Sequence, residues 1–421
     1  MQSRWTCWAH SKFCWGLIMF VLAALCGCGG GSQKVLYAVA PGSNNVSIFA
    51  VSGSGALTVT TDSVTAGSGP NAIAIDPMLR FAYVLDSANG IGEGGVSQYT
   101  LAGSGALAVA TLPAANGTTS PSIPAPTGVN PTAIVVDDTG SLVFVANHGS
   151  SGTPCDTTNT TNTPALNCTL SVFAIDPTGG ALIEVKQQQP PCTPIQLAPC
   201  PLPTAPAAPN ALATTGTMLF VAMTNAATGS GSISTYMFNP GAAGQSPTPS
   251  TCPSGPGCLQ NPPASTIAAG TNPTAMALDS KGKFLFVTDP VTNTVAAFSI
   301  GGSGQLTAVG SPVAAGTTPV SVQVHPSGKF LYTANQGSND VSAFSIGSSG
   351  ALTPLSGSPI AAGTSPSAVT TDGGGSFLFV ANRDSNTISV FSINSSGALT
   401  QVTGSPFPSV VINPVALASI R

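Results

Sequence analysis

The chain has 421 residues, and only 6% of them carry charge, against about 25% in ordinary soluble domains. Because 42% of the residues are apolar, it is not a disordered polar chain. Its 10 scattered Lys and Arg residues cannot neutralise a phosphate backbone, which excludes nucleic-acid binding, and a single long apolar run excludes several membrane spans.

The N-terminus has the pattern of an export signal. Two basic residues precede an apolar run, 15–25, that is too short to span a bilayer comfortably and suits a signal-peptide core. The following Leu-Cys-Gly-Cys-Gly resembles the bacterial lipobox, which implies a lipoprotein signal peptide over 1–27, lipidation of Cys28 and a Gly-rich tether over 28–34. The alternative is an ordinary secretory peptide, and both imply export.

Six further cysteines fall in three local pairs among Thr, Asn, Pro and Gly. An even number in an exported chain is typical of disulfides, and proximity favours pairing within each local pair, although sequence does not prove the connectivity. A metal site is the rival interpretation, but the chain has no CxxC motif and no His at ligand spacing. The three expected pairs are Cys155 with Cys168, Cys192 with Cys200 and Cys252 with Cys258.

A short apolar strand pattern recurs seven times. The last three copies read Phe-Leu-Phe-Val-Thr-Asp, Phe-Leu-Tyr-Thr-Ala-Asn and Phe-Leu-Phe-Val-Ala-Asn. A second strand with alternating apolar and small residues follows each copy, as in 388–391. The seven copies are 35–40, 81–86, 142–147, 218–223, 284–289, 330–335 and 377–382.

Each repeat contains four predicted strands. A Gly-Ala-Leu-Thr-like turn opens a third strand, as at 397–400, and a fourth strand begins with Pro, as at 273–278. Four strands repeated seven times predict a seven-bladed β-propeller. The chain ends with a lone Pro-led strand, 414–420, which should complete the first blade. The prediction is therefore an all-β fold in one domain, 35–421, with loop insertions inside 111–265.

These residues resemble a known family. The Tyr-Val-Ala-Asn-like strands, the Ser-Asn-Asp-Val and Ser-Asn-Thr-Ile steps (338–341, 385–388) and the Gly-Ala-Leu-Thr turns look like the YVTN and lactonase-type seven-bladed propellers. That grouping includes 6-phosphogluconolactonase and the cycloisomerases. The resemblance covers essentially all of 35–421, and it implies the fold more than an activity, because the repeated motifs are structural.

One face of such a ring should carry the ligand site. In propellers the loop after the Tyr-Val-Ala-Asn strand and the link between blades lie on the same face, and the insertions are expected to cluster there as a wall pinned by disulfides. Exposed loops also accumulate insertions without any binding role. The insertions are 111–130, 148–168, 187–207 and 239–265.

Few side chains on this face suit chemistry. His148, in an Asn-His-Gly step that resembles the Asn-Tyr-Gly loop of lactonase-type propellers, is a candidate general base or ligand contact, or else an exposed loop residue. Arg383 and Asp384 form either a local ion pair or an anion contact beside the axis. His325 belongs to a turn on the opposite face and is expected to be structural. The other charged residues expected on the candidate face are Asp86, Glu93, Asp289 and Asp340, and Lys186 is a further candidate basic residue.

Two functions remain open from the sequence. The favoured hypothesis is a lipid-anchored extracytoplasmic propeller, in the periplasm or at the cell surface, that binds a small ligand or a protein partner through its looped face. The alternative is a divergent lactone hydrolase. The candidate face has few basic and acidic residues, which favours binding over catalysis and disfavours a phosphorylated sugar as substrate. No cofactor, metal or nucleic-acid partner is expected, and the membrane is expected as partner through the lipid.

Overall fold

A computed structural model describes residues 34–87, 93–113, 119–121, 124–149, 169–185, 207–225, 227–240, 257–260 and 263–420. The regular structure in these ranges is entirely β-strand, which confirms the all-β class. Within the same ranges, no helix has the length and apolar character needed to cross a membrane. Gln33–Arg421 forms one compact unit. The predicted leader and tether lie outside the described residues, except for Lys34.

The strands are numbered here in chain order. The first fifteen are β1 (Lys34–Ala40), β2 (Asn45–Val51), β3 (Leu57–Val59), β4 (Val64–Thr65), β5 (Pro70–Ile75), β6 (Phe81–Asp86), β7 (Glu93–Leu101), β8 (Leu107–Val109), β9 (Thr111–Pro113), β10 (Thr119–Pro121), β11 (Ala125–Val129), β12 (Pro131–Val136), β13 (Leu142–Asn147), β14 (Thr169–Ile175) and β15 (Leu182–Glu184). The next nine are β16 (Ala207–Thr215), β17 (Met218–Asn225), β18 (Ser230–Met237), β19 (Ser265–Ala268), β20 (Ala275–Leu278), β21 (Phe284–Asp289), β22 (Thr294–Ile300), β23 (Leu306–Ala308) and β24 (Val313–Ala314). The last eleven are β25 (Pro319–Val324), β26 (Phe330–Asn335), β27 (Asp340–Ile346), β28 (Leu352–Pro354), β29 (Ile360–Ala361), β30 (Pro366–Thr371), β31 (Phe377–Asn382), β32 (Thr387–Ile393), β33 (Leu399–Gln401), β34 (Phe407–Pro408) and β35 (Ala416–Ile420).

Seven antiparallel sheets form the blades. From the outer edge inward, blades 1 to 7 read β3-β2-β1-β35, β11-β7-β6-β5, β15-β14-β13-β12, β19-β18-β17-β16, β23-β22-β21-β20, β28-β27-β26-β25 and β33-β32-β31-β30. In five blades the outer position is shared by two short strands, because a second piece (β4, β8, β24, β29 or β34) pairs with the same neighbour. The hairpin β9–β10 is a separate small sheet inside the predicted insertion 111–130, and β11 from the same insertion completes blade 2.

The ring closes as the sequence predicts. β35 pairs antiparallel with β1, from Val35 opposite Ile420 to Val39 opposite Ala416, so the C-terminal strand becomes the innermost strand of blade 1. The seven innermost strands contact one another in the order β5, β12, β16, β20, β25, β30, β35 and back to β5. This closed circuit makes the fold a seven-bladed β-propeller and leaves no innermost strand without a neighbour.

The core is divided among the seams between blades. The described residues contain seven apolar clusters, one for each pair of adjacent blades. Successive side chains of a strand point to opposite faces of its sheet, so Tyr83 packs toward blade 3 while Val84 packs toward blade 1. Both faces of each blade are therefore apolar. This explains why the second strand of each blade, counted from the axis here and below (β1, β6, β13, β17, β21, β26 and β31), reads as a near-continuous apolar run.

Glycines of the Gly-Ala-Leu-Thr-like turns let adjacent blades approach closely. Gly105 has φ +86, and a Cβ there would overlap the side chain of Val35 in the preceding blade. The Tyr37 hydroxyl of blade 1 donates to the Gly105 carbonyl at 2.7 Å. A residue with a side chain would lose both the left-handed backbone conformation and the close contact. The repeated glycine is thus a seam residue.

Candidate functional site

The ring has two ends. The innermost strands begin at one end, as at Pro70, and we call this end the mouth face. They finish in a tight turn at the other end, as at 76–80, and we call that end the turn face. Because neighbouring strands within a blade are antiparallel, the loops after the second strands and the links between blades also lie at the mouth face. The candidate residues His148, Arg383 and Asp384 all lie there.

A buried amide at the end of the second strand holds the mouth face in place. Asn147 is fully buried; its Oδ1 accepts the Gly128 N–H at 3.1 Å and its Nδ2 donates to Ser171 Oγ at 3.0 Å. Asn382 repeats this arrangement with Gly363 at 3.1 Å and Ser389 at 2.9 Å. The Asn of the repeated motif therefore ties the link between blades to the third strand, and it is structural rather than catalytic.

The residue after this amide position stands on the rim of the mouth. In four blades its backbone N–H donates to the residue that precedes the innermost strand: Ser87 to Gly69 at 3.0 Å, His148 to Asn130 at 3.0 Å, Gln336 to Thr318 at 2.9 Å and Arg383 to Ser365 at 3.0 Å. His148 and Arg383 are therefore equivalent positions in blades 3 and 7. Ser87 and Gln336 occupy the same rim, and their residue types do not mark them as candidates in the sequence.

His148 is half-buried at the start of a loop, and backbone hydrogen bonds hold it and the residue after it in place. Its N–H donates to the Asn130 carbonyl, and the N–H of Gly149 donates to the Val129 carbonyl at 3.0 Å. Burial lowers the pKa of the His148 imidazole below its usual 6.5. The ring is accordingly neutral at neutral pH, which is the protonation state that a general base needs.

Arg383 and Asp384 do not join His148. Two blades separate them on one side of the ring and three on the other, so the two candidate sites face each other across the mouth. Arg383 Nε donates to Asp384 Oδ1 at 2.8 Å, with both side chains partly exposed, and this bond lowers the pKa of the Asp384 carboxyl. The pair matches the local ion pair that the sequence left open, and exposed pairs of this kind contribute little stability.

Asp86 takes the place of the buried amide in blade 2. The Ser97 hydroxyl donates to Asp86 Oδ2 at 2.6 Å, and the Gly67 N–H donates to Ser97 Oγ at 3.2 Å. Burial raises the pKa of Asp86 to about 6 in spite of these hydrogen bonds, since only 3% of the residue is exposed. This acid belongs to the framework of the blade, not to the mouth surface.

The other expected acids have similar framework roles. Burial of Asp289 favours a higher pKa, but backbone N–H groups, including those of Thr271 at 2.6 Å and Val291 at 2.9 Å, outweigh it, and the pKa of Asp289 is lowered. Asp340 accepts from Asn335 Nδ2 at 2.7 Å. Glu93 opens β7, and Lys186 lies outside the described residues.

Small polar residues form a collar nearest the axis. The residue after the leading Pro donates to the corresponding Pro carbonyl of the next blade, as Asn71 does to Pro131 at 2.9 Å and Thr132 to Pro209 at 3.0 Å. Ser367 binds the Pro414 carbonyl at 2.8 Å in the same way. The sequence carries this signal as a polar residue after the Pro of several repeats.

The described ends of one predicted insertion lie at the other face. The segment 239–265 was expected on the candidate face, but β18 ends at the turn face, where the Phe238 N–H donates to the Thr217 carbonyl at 2.8 Å. Gly257, with φ +80, packs against Leu142 as the other turn glycines pack on their neighbours. The tetrapeptide 257–260 is thus the Gly-Ala-Leu-Thr-like turn of blade 4, displaced along the chain by the insertion.

Cys258 occupies the Ala position of that turn. It is 5% exposed. The other predicted disulfide cysteines and the predicted lipidation residue lie outside the described residues, so the pairings stay predictions: Cys155, Cys168, Cys192, Cys200, Cys252 and Cys28. In the part of the chain that the structure describes, no three His, Cys, Asp or Glu side chains form a group that could hold a metal ion.

Charged residues at the turn face hold the turns together. Asp76 receives Arg80 Nε at 2.7 Å, and Arg80 also donates to the Gly140 carbonyl of blade 3 at 3.0 Å. His325 lies in the expected turn, where its Nε2 is 2.8 Å from the Gly375 carbonyl of the next blade. Lys34 reaches Asp372 at 2.6 Å across the seam between blades 1 and 7. These residues connect adjacent blades, and none of them lies at the mouth.

Solved structures share this architecture. A candidate 6-phosphogluconolactonase from Bacteroides fragilis matches with a TM-score of 0.67 and 19% identity, covering 93% of this chain and 98% of that one. A periplasmic gluconolactonase from Pseudomonas aeruginosa matches with a TM-score of 0.66 and 19% identity, covering 93% and 99%. At this identity the likeness concerns the fold. No curated protein matches the sequence.

The family assignment comes from the sequence itself. The model of the family described as lactonase, 7-bladed β-propeller, matches residues 37–187, 259–359 and 322–411. The matched segments cover more than half of the chain and include strands of all seven blades, although β16, β17 and β18 of blade 4 lie outside them. This agrees with the closed ring of seven sheets and with the strand motifs that suggested the resemblance. The chain belongs to the lactonase family of seven-bladed β-propellers.

Proposed function

We propose that this protein hydrolyses a small, uncharged lactone at the mouth face. Family membership and the lactonase names of its structural neighbours support this hypothesis better than binding alone. His148 is the observation that carries the proposal, because it is a half-buried imidazole with a lowered pKa on the rim of the mouth. Ligand or partner binding without catalysis, which the sequence favoured, is the competing hypothesis.

His148 would act as a general base. Neutral imidazole accepts a proton from water while the water oxygen bonds to the lactone carbonyl carbon. The imidazolium then returns the proton to the ring oxygen as the acyl C–O bond breaks, and the product is one hydroxy acid. General-base catalysis of this kind contributes about 10²–10⁴-fold to a rate.

The charge of the mouth supports an uncharged substrate. Among the described residues of this face, Arg383 is the one guanidinium, and its Nε already binds Asp384. A phosphorylated lactone needs several hydrogen-bond donors with positive charge around its phosphate. The collar instead presents amides and hydroxyls, such as Asn71 and Thr132, which suit the hydroxyl groups of a neutral sugar lactone.

The test is hydrolysis of glucono-lactones with and without a 6-phosphate by the purified protein. We expect faster turnover of the uncharged lactone, a loss of about 10²-fold or more in kcat with His148→Ala, and little change with Gln336→Ala, its matched control on the same rim. Activity should fall as pH decreases through the lowered pKa of His148, below 6.5, because protonation removes the base. Binding of these lactones without turnover would favour the competing hypothesis.

We also propose that the protein is exported and anchored by lipid at Cys28. The lipobox-like sequence supports the anchor, and the periplasmic gluconolactonase among the structural neighbours is consistent with an extracytoplasmic location. The three predicted disulfides would also suit an oxidising compartment. Cys28→Ser should shift the protein from the membrane to the soluble fraction of the cell envelope. Unchanged fractionation would contradict the lipid anchor.

A further inference from the structure

The chain enters the propeller at the turn face. Lys34 opens β1 there, and the strand then runs to Ala40 at the mouth face. Val35 pairs with Ile420, the last residue of β35, which also ends at the turn face. Lys34 lies six residues after the predicted lipid position, with 29–33 between them, and six fully extended residues reach at most about 20 Å. An anchor at Cys28 therefore holds the turn face close to the membrane.

The lysines lie at this same face. All four lysines in the described part of the chain are there, and one of them, Lys34, is paired with Asp372. The other three, Lys281, Lys283 and Lys329, are exposed in the turns of adjacent blades 5 and 6. None of the ion pairs among the described residues involves these three. We call them the lysine patch.

The acids near the lysine patch do not cancel it at the surface. Asp279, the acid of the same turn, is 9% exposed and binds the backbone N–H groups of Lys283 and Phe284 at 2.6 and 2.7 Å. The more exposed acids of the turn face, Asp138 and Asp176, belong to blade 3, at least one blade removed from the patch. The turn face is therefore positive on the side of blades 5 and 6.

We propose that the lysine patch rests on an anionic lipid surface, so that the mouth of the propeller opens away from the membrane. This inference depends on the proposed lipid anchor but not on lactone hydrolysis. Anionic headgroups attract lysines held within a Debye length of the bilayer, and the short tether lets the turn face come within that range. The mouth face offers no comparable charge, since Arg383, its one described Lys or Arg, is paired.

The test uses the full chain, expressed in a bacterium that processes lipoproteins and reconstituted into vesicles. All three tryptophans precede residue 28, so the processed protein should have no tryptophan fluorescence of its own. Ser280→Trp then reports on the turn face, and Val291→Trp, at a residue 59% exposed at the other end of the same blade, is its matched control. The vesicles contain a lipid with a nitroxide headgroup in either phosphatidylcholine alone or phosphatidylethanolamine with phosphatidylglycerol.

With phosphatidylglycerol we expect the Ser280→Trp fluorescence to be quenched several-fold more than that of Val291→Trp. Replacing Lys281, Lys283 and Lys329 by Gln should remove most of this difference, as should high salt. Equal quenching of the two proteins, or a difference that survives the triple Gln substitution, would overturn the proposal for the lysine patch.

Flotation separates the two parts of the inference. Protein that floats with both kinds of vesicle, but shows no difference in quenching, has the anchor without the lysine contact. Protein that floats only with phosphatidylglycerol, and loses this with the triple Gln substitution, has the lysine contact without the anchor. Protein that floats with neither kind refutes both, whatever its activity on lactones.

Discussion

The two faces of the ring use different buried side chains to accept hydrogen bonds from the backbone of their loops. At the turn face, buried carboxylates such as Asp372 accept backbone N–H groups and pair with a cation. At the mouth face, buried neutral amides such as Asn147 and Asn382 accept from the links between blades. A neutral amide costs less to bury than a charge, whereas a carboxylate makes stronger hydrogen bonds when they are all satisfied. The contrast predicts that a buried charge stabilises the turn face and destabilises the amide positions of the mouth face.

The largest effect on stability is expected at Asp372. Asp372→Ala leaves the buried Phe377 N–H without its acceptor at 2.7 Å and Lys34 without its partner at 2.6 Å. We expect a loss of about 2–4 kcal/mol in the free energy of unfolding, measured by urea denaturation. Asp372→Asn, which keeps an acceptor oxygen, should lose less. Equal losses in the two variants would show that the hydrogen bond to the turn does not matter.

An opposite, smaller effect on stability is expected at Asp86, which places a buried carboxylate at an amide position of the mouth face. Its folded pKa of about 6 lies above the ordinary 3.8, so its contribution to stability is complete below pH 4 and is lost as pH rises through 6. Asn at this position can bind Gly67 and Ser97 as Asn147 binds Gly128 and Ser171. Asp86→Asn should therefore stabilise the protein by roughly 1–3 kcal/mol at pH 7 and leave it unchanged at pH 4.

Urea denaturation at the two pH values checks this prediction, and Asn382→Asp provides the reciprocal variant in blade 7. That substitution should destabilise the protein at pH 7 more than at pH 4, since it introduces a buried carboxylate where the structure has an amide. A gain from Asp86→Asn that is the same at both pH values would mean that ionisation is not its cause.

The smallest effect is expected at the exposed pair on the rim. Asp384→Ala removes the partner of Arg383, but both side chains are in contact with solvent, with 40% and 47% of their surface exposed. Exposed ion pairs are screened by water and salt, so the urea midpoint should not change measurably. A clear loss of stability would show that Asp384 supports blade 7 through contacts beyond this pair.

The sequence predicted the fold well because the fold depends on repeated local patterns. Alternating strands, turn glycines and Pro-led strands each recur with the blade, and the unpaired strand at 414–420 showed where the ring closes. The equivalence of His148 and Arg383 was also readable, since each follows the Asn of its repeat.

The rest could not be read in the same way. The prediction for 239–265 was wrong at the described ends of that segment, which lie at the turn face. Residues 241–256 separate the motif 257–260 from β18 in sequence, so the motif was not recognised as a turn. The structural roles of Asp86 and Asp289 depend on donors from the links and from the third strands, such as Thr271 and Ser97, which only the folded ring brings together.

The pairing of β35 with β1 has a consequence for the order of events during synthesis. β1 is among the first strands made, yet its partner on the axis, Ala416–Ile420, comes after every other described residue. Until then β1 presents an unpaired edge, and the seam between blades 7 and 1 lacks Leu417. An exposed strand edge can pair with another chain. The nascent protein is thus most exposed to mispairing just before its last strand arrives, and blades 2 to 7 can assemble while it waits.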